Sequence, residues 1–127
     1  IQKSLLQKIK NQAEKENKHN IDMLWGDIEQ VNGTKLGDDS VDSVILANTF
    51  FQVENKHNTI AEIRRVLKPK GSLMFVDWAD SFGGIGPASE KIVVESEMKQ
   101  MFTSNGFNFG GRFDAGEHHY GLLFQKT

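Results

Sequence analysis

Residues 60–78 predict a helix, an abrupt helix end and a buried strand in direct succession. Isoleucine and valine side chains recur at helical spacing through the first half of this stretch, so they form one apolar stripe. Pro69 cannot continue a helix, and Gly71 allows a turn without steric cost. The uninterrupted apolar run 72–76 then indicates a strand covered on both faces, as in a parallel sheet. A chain built around such a unit is expected to belong to the α/β class.

Helices and strands alternate along the rest of the chain. Ser4 and Gln7 have the spacing of a capping box, with Ser4 as the N-cap of the first helix. Glycines within 80–87 indicate a mobile loop. The predicted helices cover 5–16, 60–68 and 96–104, and the predicted strands cover 21–25, 41–48, 72–76, 107–113 and 120–125. This order predicts a mostly parallel sheet with helices on its faces, ending in an antiparallel hairpin.

Length and composition narrow the functional classes. The chain has 127 residues, enough for one domain with a core. Its formal net charge of −2 provides no strong field for nucleic acid or an anionic membrane. It has no cysteine, which excludes disulfides, thiolate metal sites and a cysteine nucleophile. No apolar run approaches the roughly 20 residues of a membrane span. We therefore expect a cytoplasmic protein with no nucleic-acid or membrane partner.

Several short segments become specific when they are taken in order. They are 26–28, 39–44, 62–71, 73–77 and 105–107, followed by the terminal hairpin. Together they resemble the class I S-adenosylmethionine-dependent methyltransferases, in particular the small-molecule methylases of the ubiquinone/menaquinone-biosynthesis group. Lys70 stands where that family more often has glycine. The resemblance implies that residues 1–127 form a single partial domain with a Rossmann-like, doubly wound sheet and S-adenosylmethionine as its cofactor.

The resemblance also implies which family elements precede this sequence. They are the glycine-rich loop, the first helix, the first two strands and the acid that binds the ribose hydroxyls, with Ile1 lying just after that acid. In the family the first two strands lie between the predicted strands 21–25 and 41–48. Without them both strands would have bare edges. We therefore predict a rearranged sheet, a swapped dimer or pairing with another segment.

Five residues are candidates for the cofactor site by this resemblance. Asp27 would accept a hydrogen bond from the adenine amino group, and the Ile28 amide would meet a ring nitrogen. Asn48 and Thr49 end the strand at which the cofactor's methionine end and the substrate meet, and Ile1 lies beside the ribose site. Two alternatives stay open, because Asp27 could instead cap the following turn and Asn48 could be a strand-end turn residue.

Two residues are candidates for catalysis. Asp77 ends the buried strand, where open α/β sheets bind ligands, and could contact substrate or act as a base. The alternative is a carboxylate that caps a loop. His118 could accept a proton, since histidine titrates near neutrality. His118 and His119 point to opposite faces of a strand, so they cannot readily share a metal ion, and we predict no metal site. A structural hairpin turn is the alternative for this pair.

The best prediction of function is methyl transfer from S-adenosylmethionine to a small molecule. Such a transfer is an in-line displacement, for which positioning supplies much of the rate. Because the resemblance gives this chain only part of the cofactor site, an inactive fragment is also expected. The alternative from another class is a non-catalytic, methyltransferase-like module that forms homodimers through open sheet edges. Another nucleotide-binding α/β protein is a third hypothesis, disfavoured because the sequence has no phosphate loop.

Overall fold

The computed structural model describes residues 2–127, which form helices packed on one four-stranded sheet. The α-helices are α1 (Lys3–Lys15), α2 (Lys56–Val66) and α3 (Glu95–Thr103). The strands are β1 (Val41–Ala47), β2 (Leu67–Trp78), β3 (Phe107–Phe113) and β4 (His119–Lys126). Short 3₁₀ turns cover Phe50–Gln52, Phe82–Gly84 and Ser89–Lys91. The predicted α/β class is confirmed.

The strand order is β1-β2-β4-β3. β1 and β2 are parallel and are joined through α2, while β4 is antiparallel to both β2 and β3. The predicted carboxyl-terminal hairpin is therefore confirmed. Because β1 occupies one end of the strand order, it has a neighbour on one side only within residues 2–127.

The predicted strand at residues 21–25 is wrong. This segment belongs to no strand of the sheet, and its apolar side chains are exposed, with Ile21 at 46%, Leu24 at 52% and Trp25 at 45%. A strand needs neighbours for its backbone amides and carbonyls. The resemblance places two further strands between this segment and β1, and residues 2–127 contain neither. Relative to the prediction, the segment 21–25 therefore lies outside the sheet.

The junction of α2 and β2 is tighter than predicted. The helix ends at Val66, and β2 starts at once with Leu67, before Pro69. The pairing with β1 is irregular there, since Val41 pairs with Leu67 but Ser43 pairs with Ser72. The extra residues of β2 turn through Lys70, whose φ is +65°. The predicted turn therefore exists, but it lies inside the strand as an irregularity of the ladder.

The core lies on one face of the sheet, beneath α2 and α3. Phe50, Phe75 and Phe102 are fully buried, and their ring centroids lie 5.2–5.7 Å apart. The remaining core side chains come from α2, α3 and all four strands, with the connecting segments adding a few more. They include Leu46, Ile60, Ile63, Leu67, Leu73, Met98, Phe107, Leu122 and Phe124. Aromatic packing of this kind stabilises a small sheet strongly.

α1 stands apart from this core. Its N-cap is Gln2, which provides no side-chain hydrogen bond, and Ser4 lies inside the helix, so the predicted capping box is wrong. Ala13 is the one buried residue of α1. In residues 2–127 no helix is long and apolar enough to cross a membrane.

Candidate functional site

The candidate site lies where the loop 26–33 meets the carboxyl end of β1. In open α/β sheets, ligands bind outside the carboxyl ends of the parallel strands. Here that edge presents Asn48 and Thr49 after β1, and Asp77 at the end of β2. The start of β4 reaches the same edge, because Trp78 pairs with His119.

The loop 26–33 is closed by its own backbone. The Asp27 amide donates to the Gly33 carbonyl at 3.0 Å, and the Gln30 amide donates to the Asp27 carbonyl at 3.2 Å. A Cβ on Gly33 would collide with the Asp27 carbonyl, so only glycine fits there. The Asp27 carboxylate is exposed, and its Oδ1 accepts from the Glu29 amide at 2.9 Å. This bond satisfies the turn-capping alternative for Asp27 and also fixes the carboxylate in place.

Glu29 ties this loop to the start of α2. Its Oε1 accepts hydrogen bonds from the Glu54 and Asn55 amides at 2.9 and 2.6 Å. The Asn58 side chain donates back to the Glu29 carbonyl at 3.1 Å. The orientation of Asp27 therefore depends on contacts with a segment about 25 residues further along the chain. No local signal in the sequence reveals such a contact.

Glu62 holds the following segment to the middle of α2. Its side chain is fully buried and accepts from the Asn32 amide at 2.8 Å and from the Thr34 hydroxyl at 2.6 Å. Arg65 donates to both carboxylate oxygens at 2.8 Å and also contacts Asp38 at 2.7 Å. The hydrogen bonds from Arg65 lower the pKa of Glu62 to about 2, and those from Thr34 and Asn32 add to the effect. An acid beside the apolar stripe of α2, with arginine three residues on, is the sequence signal that could have revealed this network.

A cleft of about 930 Å³ opens between this loop and the turn after β1. It brings together three of the predicted cofactor residues, because Asp27, Ile28 and Thr49 all line it. Asn48 does not line the cleft; it is exposed, with φ of +52°, and its amide donates to the Val76 carbonyl at 2.9 Å. Ile1 lies outside the described residues.

Trp25 forms one wall of this cleft. The Lys3 ammonium lies 4.4 Å from its ring centroid and the Lys35 ammonium lies 5.2 Å away. Both distances are within the range of cation–π attraction. No local pattern in the sequence indicates these contacts, since they join residues from α1 and from two loops. These contacts attach the Trp25 ring to α1 and to Lys35.

Asp77 has no exposed surface. Its Oδ1 accepts from the Trp78 amide at 2.8 Å, and its Oδ2 accepts from the Phe51 amide at 3.2 Å. Burial raises the pKa of this carboxyl, against the lowering effect of those amides. This geometry matches the loop-capping alternative, because Asp77 holds the Phe50–Gln52 turn against β2.

His118 lies at the same edge of the sheet and is half-buried. Its Nδ1 is 2.9 Å from an Asp80 carboxylate oxygen, and its ring stacks on Phe82 with centroids 3.8 Å apart. His119 faces elsewhere and packs on Trp78 at 4.2 Å, so the two histidines do not converge. In the part of the chain described, no group of three or more His, Asp or Glu side chains could hold a metal ion.

A parallel strand pair that opens at its carboxyl edge onto a cleft with an acidic loop defines an α/β ligand-binding domain. The family described as methyltransferase domain matches residues 1–75, more than half of the sequence. The chain therefore belongs to the methyltransferase-domain family. Among curated proteins no sequence matches it.

Solved structures share this fold. An S-adenosylmethionine-dependent methyltransferase from Aquifex aeolicus has a TM-score of 0.86 and 22% identity, over all of this chain and 66% of that one. A protein described as a type 11 methyltransferase from Sulfolobus solfataricus has a TM-score of 0.70 and 27% identity, over 93% of this chain and 64% of that one. A protein described as a sarcosine dimethylglycine methyltransferase from Galdieria sulphuraria has a TM-score of 0.80 and 15% identity, over all of this chain and 68% of that one. The chain thus spans about two thirds of each.

These relationships confirm the class I methyltransferase resemblance and support S-adenosylmethionine as the cofactor. The cleft fits the adenosine part of that molecule chemically. Asp27 offers an exposed carboxylate, Ile28 an adjacent amide and apolar side chain, and Trp25 an aromatic wall. Polar groups beside apolar and aromatic side chains are typical of cofactor sites.

Proposed function

We propose that this chain transfers a methyl group from S-adenosylmethionine to a small molecule, with the cofactor's adenosine in the cleft beside the loop 26–33. The observation that carries the proposal is the convergence of Asp27, Ile28 and Thr49 on that one cleft. Asp27 and Ile28 lie 22 and 21 positions before Thr49 in the sequence, yet the family resemblance assigns all three to one ligand.

The proposed roles follow from the chemistry of each group. Asp27 would accept a hydrogen bond from the adenine amino group through Oδ2, since Oδ1 is used by the Glu29 amide. The Ile28 amide would donate to a ring nitrogen. Asn48 and Thr49 would border the methionine end, with Ile1 near the ribose. When bound, the cofactor supplies a methyl group on a sulfonium, and the protein's part is to aim the acceptor.

His118 is the proposed proton acceptor for the methyl acceptor. Its hydrogen bond with Asp80 would keep the proton on Nδ1, so that Nε2, which lies 3.7 Å from Glu117 Oε2, would receive the proton of the acceptor. Asp77 is proposed as a positioning residue rather than as a base, since its carboxylate is buried and occupied by two amides. It would hold Phe51 and its neighbours beside the site.

A small-molecule acceptor is supported by the Galdieria sulphuraria relative, whose name specifies sarcosine and dimethylglycine. The lack of cysteine supports a cytoplasmic setting. Because the solved relatives are longer, we propose that residues 1–127 represent part of one methyltransferase domain. Turnover then depends on whether the missing side of the cofactor site is supplied to this chain.

Calorimetric titration with S-adenosylhomocysteine tests the cofactor part of this proposal. We expect measurable binding at millimolar or lower ligand, and a roughly tenfold loss of affinity in Asp27→Ala, which removes one charge-assisted hydrogen bond. Asp22→Ala is the matched control, because Asp22 is an exposed acid outside this cleft. No heat of binding for the unmodified chain would refute cofactor binding by this chain. Equal loss in both variants would refute the role of Asp27.

A second candidate function is a non-catalytic module that dimerises through its open sheet edge. Its support is β1, which has no strand neighbour on its outer side within residues 2–127. Free strand edges are templates for pairing with another chain. Hydrogen exchange of the outward-pointing β1 amides should then slow as protein concentration rises. Exchange rates that are independent of concentration would refute edge pairing.

A further inference from the structure

Residues 80–87 form a glycine-rich loop that leaves the carboxyl end of β2. All residues of this loop except Pro87 are exposed. Just before it, the Ala79 amide donates to the His118 carbonyl at 2.7 Å and continues the pairing of β2 with β4. The Ser81 hydroxyl donates to the Pro87 carbonyl at 2.7 Å, which ties the two ends of the loop together. The loop is therefore anchored at its ends, and the part between them projects as one unit.

Two side chains of this loop contact His118. An Asp80 carboxylate oxygen lies 2.9 Å from His118 Nδ1. The Phe82 ring stacks on the imidazole, with centroids 3.8 Å apart and an angle of 18° between the planes. Phe82 is nevertheless 50% exposed, so the stack covers only part of its surface. A segment that is held by a few exposed contacts opens at a low cost in free energy.

The third contact of the loop is made by Gly86, whose φ is +86°. A Cβ at this position would lie 2.8 Å from Cε3 of Trp78, so the loop backbone rests directly on the indole ring. The same ring packs on His119, with centroids 4.2 Å apart. The loop thus contacts His118 directly and reaches His119 through Trp78.

His119 carries an unsatisfied nitrogen beneath these contacts. Within residues 2–127, its Nε2 is the one buried side-chain nitrogen or oxygen that has no hydrogen-bond partner. An unpaired buried nitrogen destabilises the arrangement that buries it. Movement of the loop together with the Trp78 ring would give this nitrogen access to water or to a ligand. The closed arrangement therefore contains both a weakly held cover and a polar atom that gains a partner when the cover moves.

We propose that residues 80–87 are a lid, which opens to admit the methyl acceptor and then offers His119 Nε2 to the acceptor's polar group. The lid lies at the carboxyl edge of the sheet, where α/β folds bind ligands. Opening also separates Phe82 from His118 and so bares the imidazole proposed as proton acceptor. Closure over the bound acceptor excludes water from the reaction. The identity of the admitted molecule rests on the proposed function, whereas the opening does not.

Acrylamide quenching of Trp78 fluorescence measures how far a small polar molecule enters beneath the lid. Trp25→Phe leaves Trp78 as the single tryptophan, and it should fold because Trp25 is 45% exposed. In this background Phe82→Ala should raise the quenching constant about twofold or more, since it removes the stack on His118. Ile85→Ala is the matched control, because Ile85 is 61% exposed in the same loop. An unchanged constant in Phe82→Ala, or an equal rise in both variants, would overturn the lid.

Nitrogen-15 relaxation dispersion tests whether the lid moves as a unit and uncovers His119. The backbone amides of the loop and the Nε2 of His119 should share one exchange rate on the microsecond-to-millisecond timescale. His19 is the control, since it is exposed after α1 and its Nε2 should show no such exchange. Different rates along the loop, or exchange that spares His119, contradict the proposal.

Both lid measurements are made without cofactor. Absence of S-adenosylhomocysteine binding in the calorimetric titration would therefore refute the proposed function and leave the opening of the lid intact. A rigid loop in a chain that binds S-adenosylhomocysteine would refute the lid alone.

Discussion

The two parts of this molecule are held together by different forces. Residues 41–127 close around an aromatic core, in which Phe50, Phe75 and Phe102 have no exposed surface. Residues 2–40 carry the candidate cofactor loop, and they attach to that body through hydrogen bonds of Glu62 and Glu29 as well as through Ile28, which packs on the core. Apolar burial stabilises the body, whereas hydrogen bonds to the carboxylates of Glu29 and Glu62 add to apolar packing in positioning the loop. The candidate site therefore depends on hydrogen bonds to carboxylates more than the aromatic core does.

The largest expected effect is at the core of the body. Phe102→Ala should lower the free energy of unfolding by about 3–5 kcal/mol, because it leaves a cavity among packed rings. Val31→Ala, in the amino-terminal part, should change it by less than about 0.5 kcal/mol, since Val31 is 51% exposed. Urea unfolding of both variants provides the measurement. Similar losses at the two positions would contradict the contrast between the two regions.

The next effect concerns the link between the regions. Glu62→Gln should cost about 3 kcal/mol, because a pKa of about 2 against 4.5 in the unfolded chain corresponds to that much stability. A carboxyl with a lowered folded pKa stabilises the fold above pH 4.5. That stability is lost as the pH falls from 4.5 towards 2. Urea midpoints measured across this pH window should fall steeply for the unmodified chain.

A matched control separates the titration of Glu62 from general acid unfolding. Glu54→Gln removes an exposed glutamate that contacts Glu29 through its backbone amide, which the substitution keeps. It should leave the slope of stability against pH nearly unchanged, whereas Glu62→Gln should flatten it. Identical slopes in the two variants would contradict the assignment of the acid sensitivity to Glu62.

A smaller effect is expected at the carboxyl edge of the sheet. Asp77→Ala should cost about 1–3 kcal/mol, because it leaves the Phe51 and Trp78 amides without a buried acceptor. Asp77→Asn keeps an acceptor and should cost less. Burial raises the pKa of Asp77, so its contribution to stability falls as the pH rises above its ordinary value of 3.8. Thermal melting at acid and neutral pH measures both effects, and equal costs for the two variants would refute the capping role.

The smallest effect is a gain in stability. Lys70→Gly should stabilise the fold by about 1 kcal/mol, because Lys70 has a φ of +65° that glycine adopts without strain. Ser72→Gly, two residues on in regular strand, should instead destabilise it by roughly 0.5–1 kcal/mol. Differential scanning calorimetry distinguishes these opposite signs. Destabilisation by Lys70→Gly would show that no strain is stored at this turn.

The sequence predicted the body well because its signals are local. The apolar stripe and the following run specify α2 and β2, and alternation specifies the hairpin of β3 and β4. The segment 21–25 has the composition of a buried strand, but strand formation depends on neighbours that residues 2–127 do not contain. The local pattern therefore identifies an apolar segment correctly but predicts the wrong secondary structure for it.

The candidate site was predicted in part. The family resemblance named Asp27, Ile28 and Thr49, and the fold brings all three to one cleft. The sequence did not indicate the contacts of Glu29 and Trp25, because their partners are remote in sequence and are brought close only by the tertiary fold. The functional roles of Asn48, Asp77 and His118 stay predictions, as does that of Ile1.

The central claim is that the cleft beside the loop 26–33 is half of a cofactor site. Backbone amide shifts recorded by NMR during titration with S-adenosylhomocysteine test it most directly. We predict saturable shifts at Asp27, Ile28 and Thr49, with those of β3 unchanged. Saturable shifts confined to other parts of the molecule, or none at millimolar ligand, would contradict the account.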